Sequence, residues 1–375
     1  MKRWPAIPLG QLVLPTEQRD PKEYPTEEFS YVDIASIDNG TKSIGTTKRI
    51  VGSDAPSRAR KVIHTGDVIV STVRPNLNAV ARVPSNLDNQ ICSTGFSVLR
   101  PSPKVMSGYL FAFARSPIFV DYLVARTTGA NYPAVNDGEV KDVPLPLPPL
   151  VEQKRIVDLL DEADELRKMR GNANHRTAVL IPALFHEMFG DPATNSKGWP
   201  LKPFGELVSN QDGRRKPVKK SDRAERRGQY PYYGASGIID YVEKYLFDET
   251  ALLIGEDGAN LLARSTPIAF LAHGKYWVNN HAHVLTDNGN ADLIYLCEAL
   301  NLRDLTDYVT GSAQPKLNQA NMNRIPIPVP PLELQKEFAQ CVTEIRELEA
   351  SQATSRTRLD ALFQSMLHRA FNGEL

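Results

Sequence analysis

Three groups of residues carry enough chemical character to be weighed first, and each suggests a different chemistry. Glu139-Val140-Lys141, with Asp121 or Asp137 upstream, has the order of acidic and basic groups used by metal-dependent ExK sites. Such tripeptides arise often by chance, and a second copy of the region carries Asn321 and Asn323 there, so any such site would be single. His281 and His283, in NNHAHV, stand two apart and would share one face of a strand. They could ligate a metal, yet no carboxylate or cysteine partner is apparent from the sequence, and a hydrogen-bonding role is the expectation. The third group is DGRRKPVKKSDRAERRG (Asp212 to Gly228), with eight Lys/Arg against three acidic residues, followed by the aromatic YPYYGASG. Basic groups at this density neutralise phosphates, while neighbouring polar and aromatic groups reach bases. A solvated surface loop is the plain reading of one such run. A second basic stretch, with Lys42, Lys48, Arg49, Arg58, Arg60 and Lys61, tips the balance toward contact with nucleic acid at two places.

Two loops, TTGANYPAVN and VTGSAQPKLN, place Gly, Pro and Asn at matching positions. Tyr132, Gln314, Lys316 and Asn318 could present donors and acceptors to base edges; the alternative is a helix-terminating loop fixed by Gly129 and Gly311. Several enzymatic signals are missing from the sequence: GxxxxGK[ST], GxGxxG after a strand, and HExxH.

The elements that must position these residues come in two copies. VPLPLPPLVEQKRIVDLLDEADEL from Val143 and IPIPVPPLELQKEFAQCVTEIREL from Ile325 align at an offset of 182. Pro144, Pro146, Pro148, Pro149, Leu150, Gln153 and Lys154 fall on Pro326, Pro328, Pro330, Pro331, Leu332, Gln335 and Lys336. Alternating prolines exclude helix from each lead-in, and a long helical pattern follows. Trp4, Pro5, Pro8, Gly10, Leu12 and Val13 likewise fall on Trp199, Pro200, Pro203, Gly205, Leu207 and Val208. Drifting offsets between such matches are what loop insertions in a duplicated domain produce.

The predicted fold class is α+β: two globular α/β domains alternating with two long antiparallel helices, in a pseudo-two-fold internal repeat. The expected boundaries are 1–147 and 192–329 for the globules, and 148–191 and 330–375 for the helices. Segments such as FSYVDIASI, GDVIVSTVRPN and STGFSVLRP alternate as strands do, whereas GYLFAFARSPIFVDYLVA is helical in character. Steps of three and four predict the helix-pair seam at Ile156, Leu159, Leu166, Leu180 and Leu184, and at Phe338, Cys341, Ile345, Leu348, Leu359, Leu362 and Met366. The GNAN stretch at Gly171 and Pro182 are expected to weaken or kink the first helix.

Composition narrows the class without naming a partner. Lys+Arg and Asp+Glu are both 44 in 375 residues, so net charge gives no hint of a polyanion. No apolar run is long enough to span a membrane, and Cys92, Cys297 and Cys341 are too few and scattered for a disulfide framework. A reduced, cytoplasmic setting is expected.

The combined pattern resembles the specificity (S) subunits of type I restriction–modification enzymes. The resemblance rests on PLPPLVEQKRIV and PVPPLELQKEF, on PYYGASGIIDYV, LLIGEDGANL, WVNNHAHVL and TGSAQPKLN, and on the C-terminal AFNGEL. One departure is Leu334, where the family's usual Glu stands; Glu152 keeps it in the first copy. The resemblance implies a non-catalytic subunit whose two target-recognition domains read a bipartite double-stranded DNA site. It implies docking of two modification (methyltransferase) subunits and of restriction/translocase subunits. It places no cofactor in this chain; S-adenosylmethionine, ATP and Mg would belong to those partners, and no membrane is involved. The rival readings are a standalone DNA-modifying enzyme and a two-globule coiled-coil scaffold.

The candidate DNA-contacting residues in the first globule are Lys42, Lys48, Arg58, Lys61, Arg74, Asn76 and Tyr132. In the second they are Arg214, Arg215, Lys216, Lys219, Lys220, Tyr232, Tyr233, Lys316 and Asn318. The helix residues named above are the candidates for pairing and partner docking; no catalytic or metal-binding residue is assigned.

Overall fold

The computed structural model describes residues 4–129, 132–311 and 313–375, and for His175 the backbone alone. Ala130 and Asn131 of the first Gly-Pro-Asn loop, and Ser312 of the second, lie outside the described residues. The chain divides into two compact units, residues 1–172 with 353–375, and residues 173–352. Each unit therefore combines one globule with a stretch of both long helices.

The two units share one topology. In the first, Val13–Leu14, Phe96–Pro101, Val68–Ser71 and Val80–Arg82 form an antiparallel sheet in that order. Its counterpart in the second unit runs Val208–Asn210, Ala282–Asp287, Ala251–Gly255 and Ala269–Ala272. A second, mixed sheet in the first unit is ordered Lys48–Val51, Glu28–Val32, Gln90–Ser93 and Ala59–Ile63, with one parallel pairing. In the second unit it is Gly237–Val242, Arg227–Gly234, Lys275–Val278 and Phe247–Asp248, again with one parallel pairing. Runs such as Val68–Ser71 and Ala251–Gly255 are buried along their whole length, as central strands require.

The repeated Pro-rich lead-in has a physical job. Pro144–Pro146 pairs antiparallel with Ala6–Pro8, and Pro326–Pro328 with Leu201–Pro203, closing each globule end to end. Proline tolerates such short two-stranded edges because few ladder donors are needed there. The next residues turn into helices Leu150–Ala178 and Leu332–Phe371. The turn is locked by a fully buried glutamine. Gln153 donates to the Pro148 and Lys104 carbonyls at 2.9 and 3.1 Å and accepts from the Met106 N–H at 2.9 Å. Gln335 donates to the Pro330 carbonyl at 2.8 Å and accepts from the Asp292 N–H at 2.9 Å. Tyr109 and Tyr295 donate to the carbonyls of Pro146 and Pro328, at 2.8 and 2.6 Å. Backbone groups freed by proline are thus paired by side chains, as burial demands.

The long helices are part of the globular cores. Ile156, Val157, Leu160, Phe363, Leu367 and Phe371 join Tyr109 and Phe113 in one core; Ile181, Phe185, Phe189, Phe338 and Val342 join Tyr295 in the other. The first long helix is interrupted at Val179 and resumes as Leu180–Phe189. Pro182 cannot donate to the carbonyl four residues back, which accounts for the break, whereas Gly171 stays helical. The predicted seam is displaced by about one residue: Leu166, Leu180, Leu348 and Leu362 are exposed, while Leu160, Ile181, Val342, Phe363 and Leu367 are buried. Helical side chains lean toward the N-terminus, so a given patch is covered by a residue one position further on. Ile156 and Phe338 are buried as expected, and Leu159, Leu184, Cys341, Ile345, Leu359 and Met366 flank the seam half-buried. Within the second unit the two helices also make a polar contact, Thr177 Oγ1 donating to Gln352 Oε1 at 3.1 Å. Among the described residues, no helix is long and apolar enough to cross a membrane.

Candidate nucleic-acid interface

The Gly-Pro-Asn loops occupy the same place in both units. Thr128 and Ala134 exchange backbone hydrogen bonds of 3.0 Å, and Thr310 and Lys316 exchange bonds of 2.8 and 2.7 Å. Gly129 and Gly311 adopt φ of +91° and +84°; a Cβ there would come within 2.9 Å of the Tyr132 carbonyl oxygen and 2.6 Å of the Gln314 one. Only glycine fits such a closed turn. A second loop is stitched to each: the Arg74 N–H donates to the Pro133 carbonyl at 2.7 Å, and the Gly258 N–H to the Pro315 carbonyl at 3.0 Å. The ensuing Asn136 and Asn318 are N-caps, their Oδ1 atoms accepting from Glu139 N–H and Asn321 N–H at 2.9 Å.

In the second unit these loops enclose a charge network that draws on four distant motifs. His283 is buried; its Nδ1 lies 2.6 Å from Asp212 Oδ2 and its Nε2 donates to the Leu317 carbonyl at 2.8 Å. Both ring nitrogens thus face oxygen atoms. Arg215 reaches Glu256 at 2.7 Å and Asp212 at 3.3 Å, and Lys316 reaches Glu256 at 3.1 Å. Burial pushes the Asp212 carboxyl up, but His283, the Val284 N–H and Arg215 outweigh it and hold the group below its ordinary value. Glu256 is likewise lowered, burial being overcome by Arg215 and Lys316. Asp212, Glu256 and His283 bring ligand atoms within 4.8 Å of one another, the spacing a metal would need. Arg215 and Lys316 already compensate the two carboxylates, so the cluster is built as an ion-pair network tying loops together.

The first unit uses a smaller device at the same place. Ser97, which aligns with His283, donates to Asp137 Oδ1 at 2.6 Å, and Lys61 lies 3.5 Å from that atom while donating to the Phe96 carbonyl at 2.7 Å. The ExK tripeptide is absorbed here. Glu139 closes a capping box with Asn136, and Lys141 pairs with Asp137 at 2.7 Å one turn away. Above the same loops, the exposed Arg74 guanidinium lies 5.2 Å from the centre of the exposed Tyr132 ring.

A model of the type I restriction modification DNA specificity domain matches the chain twice, at residues 16–173 and 196–356. The chain belongs to the type I restriction–modification specificity subunits. A putative specificity subunit of Haemophilus influenzae, S.HindORF215P, is 36% identical over 147 residues, 39% of this chain and 37% of the relative. The HindI specificity subunit of the same organism is matched over 31% of its length, so the chain spans about a third of these two relatives. The MjaIX specificity subunit of Methanocaldococcus jannaschii is 22% identical across 84% of this chain and 79% of its own. A chain from a structure describing complex assembly and conformational transition of the type I R-M system superposes with a TM-score of 0.67 and 29% identity, covering 100% of this chain and 99% of that one. The HsdS subunit of Thermoanaerobacter tengcongensis gives 0.50 at 29% identity, covering 100% and 98%.

Within this specificity subunit the sequence-selected residues fall into two sets. Lys48, Arg58, Arg74, Asn76, Tyr132, Lys216, Lys219 and Lys220 are exposed. Arg214 is half-exposed but engaged, with Glu249 at 2.6 Å and the Phe247 ring 4.4 Å away; Lys316 is half-exposed on Glu256. The other set is turned inward. Arg215 and Lys61 are structural cations, Asn318 is a cap, and Tyr232 is buried with its hydroxyl accepting from the Val218 N–H at 2.9 Å. Tyr233 is half-buried and stacked on Phe270, its hydroxyl pushed up by burial. Lys42 donates to the Asn78 carbonyl rather than standing free. Sequence reasoning missed Asp212, Glu256 and Asp257 as histidine and arginine partners, the last lying 2.8 Å from His281. The signal was present in GEDG and DGRR, but their partners lie 24 to 71 residues away in the chain.

Proposed function

We propose that each unit is a target-recognition domain reading one half of a bipartite duplex DNA site, with the long helices forming an antiparallel pair that sets the distance between the halves. The observation that carries the reading is the duplicated specificity domain, with one sheet topology and one glutamine-locked turn into a long helix in each copy. The antiparallel sense is supported by contacts along the helices: Arg155 meets the Leu375 carbonyl, whereas Arg167, further along, meets Asp360. The proposed division is 1–147 and 192–329 for recognition, and 148–191 and 330–375 for spacing, related by a pseudo-two-fold. A helix of 40 residues at ~1.5 Å per residue is roughly 60 Å long, enough for half-sites ~34–36 Å apart.

The chain is proposed to be non-catalytic. Two modification subunits would bring S-adenosylmethionine and adenine methylation, and restriction/translocase subunits would bring ATP- and Mg-dependent cleavage. Exposed Arg58, Arg74, Lys216, Lys219 and Lys220 suit phosphate neutralisation, and Tyr132 and Asn76 suit base edges.

The deciding experiment is adenine-methylation mapping by single-molecule sequencing, in cells expressing this chain with and without its modification subunit. A new methylated motif of two specified halves with a fixed gap is expected. No new methylation despite a soluble complex would return the chain to a scaffold. Lengthening both helices by one turn is expected to widen the gap; an unchanged gap would remove the ruler.

A further inference from the structure

A cavity of about 330 Å³ lies in the first unit, between the hairpin Ile37–Asp38/Ser43–Ile44, the end of helix Ser107–Ala114 and the long-helix segments. Its walls include Lys42, Arg115, Arg167, Arg356, Asp360 and Phe363. The Arg115 and Arg167 guanidinium groups both lie over the Phe363 ring, at 4.7 and 4.6 Å from its centre. They share Asp164 at 2.9 and 3.0 Å, and Asp360 sits 2.7 Å from Arg167 and 4.0 Å from Arg356. Stacking and shared carboxylates hold these forks in place at a buried wall; Arg115 is only 9% exposed.

The charges around this space do not balance. Lys42, Arg115, Arg167, Lys168 and Arg356 face Asp38, Asp164, Glu165 and Asp360, five cations against four carboxylates, an excess of one. Burial and the nearby Arg115 both push the Lys42 ammonium below its ordinary value, as expected where positive charge is crowded. The corresponding cavity of the second unit holds Arg264 and Arg346, but Arg264 caps the Leu300 and Arg303 carbonyls and Arg346 is paired with Glu298 at 2.6 Å.

We propose that the first unit's cavity binds a phosphate group, carried either by a free phosphoanion or by the backbone of duplex DNA. A net positive wall attracts a phosphate anion, and prepositioned arginine forks match its oxygens. The proposal does not rest on the DNA-reading role, because a small anion tests it alone.

The test is calorimetric titration of the full-length chain with inorganic pyrophosphate at low ionic strength. One saturable site is expected. Arg356→Ala alters an exposed residue whose nearest acid is 4.0 Å away, so folding is spared; it is expected to weaken binding about tenfold or more. Lys42→Met is expected to do the same, and Arg358→Ala, outside the cavity, to change nothing. No saturable binding by the parent chain, or equal loss in Arg356→Ala and Arg358→Ala, would overturn the proposal. Anisotropy with duplex DNA separates the sources. Weaker binding by Arg356→Ala with a salt slope reduced by about one assigns the site to the DNA backbone. Unchanged DNA binding with lost pyrophosphate binding assigns it to a free phosphoanion.

Discussion

The joints between globule and long helix can be compared position by position, because the chain supplies two of them. In both, a buried glutamine four residues past the paired prolines holds backbone groups of the lead-in and of the globule. Nearby, each joint has an ion pair from a globule helix to its long helix: Arg115 with Asp164 at 2.9 Å, and Glu298 with Arg346 at 2.6 Å. The offset of 182 lays Asp164 on Arg346, so the long-helix charge is reversed between copies. The globule charge is reversed with it, displaced by about one helical turn from Arg115 to Glu298. Backbone donors and acceptors are the same whatever the side chains, so the groups that serve them repeat. An ion pair needs only opposite signs within reach, so the two copies solve it independently.

The largest expected effect probes the loop networks, where the copies differ most. His283→Ala should cost about 3–5 kcal/mol, since it removes a buried hydrogen bond to the Asp212 carboxylate and leaves the Leu317 carbonyl without the His283 donor. Ser97→Ala, at the matching position, removes one hydrogen bond to Asp137 and should cost about 1 kcal/mol. Urea unfolding of both variants checks this, and equal losses would break the contrast.

Next come the glutamines. Gln153→Ala leaves one donor and two acceptors without their partner and should cost about 3 kcal/mol; Gln335→Ala, with one of each, about 2. Chemical denaturation followed in each unit would show whether the joints are equal.

The exchanged ion pairs should respond oppositely to pH. Burial pushes Asp164 up, but Arg115, Lys168 and Arg167 outweigh it and leave the group below its ordinary value. Its stabilising contribution is therefore present above the ordinary aspartate range and lost as pH falls through the lowered value. Glu298 is pushed above its ordinary value by burial, against the pull of Arg346. Its contribution is present below the ordinary glutamate range and lost as pH rises through the raised value. Asp164→Asn should thus lose ground to the parent chain as pH rises from acid, and Glu298→Gln should gain it. Parallel curves from pH-dependent unfolding would contradict the assignment.

The smallest effect is at the surface proposed to face DNA. Arg74→Ala should weaken DNA binding only a few-fold and lower the salt slope by about one. Arg215→Ala should destabilise the second unit instead, because its guanidinium joins two carboxylates. Anisotropy alongside thermal unfolding separates the two outcomes.

Sequence reasoning reached different depths in different places. Proline alternation marked both lead-ins, and the pairings of Pro144–Pro146 and Pro326–Pro328 explain why the pattern is so regular. The long helices were legible to within the break at Val179. Leu334 departs from the family pattern, yet it packs against the second core where Glu152 pairs with Arg155. The candidate site was less legible. Charge density selected the run from Arg214 to Lys220, but could not tell that Arg215 turns inward while Lys219 stays in solvent.

By itself the sequence determined the duplication, the alternation of globule and long helix, and the family. These follow from local constraints: proline's fixed φ and missing N–H, the helical period, and motifs that recur in the same order. Tertiary structure alone decided which helix face is buried, which cations are tied and which are free, and that carboxylates stand beside both histidines. Each of those outcomes depends on groups far apart in the chain, such as His283 and Asp212, 71 residues apart, whose interaction exists only once the strands and loops between them have folded.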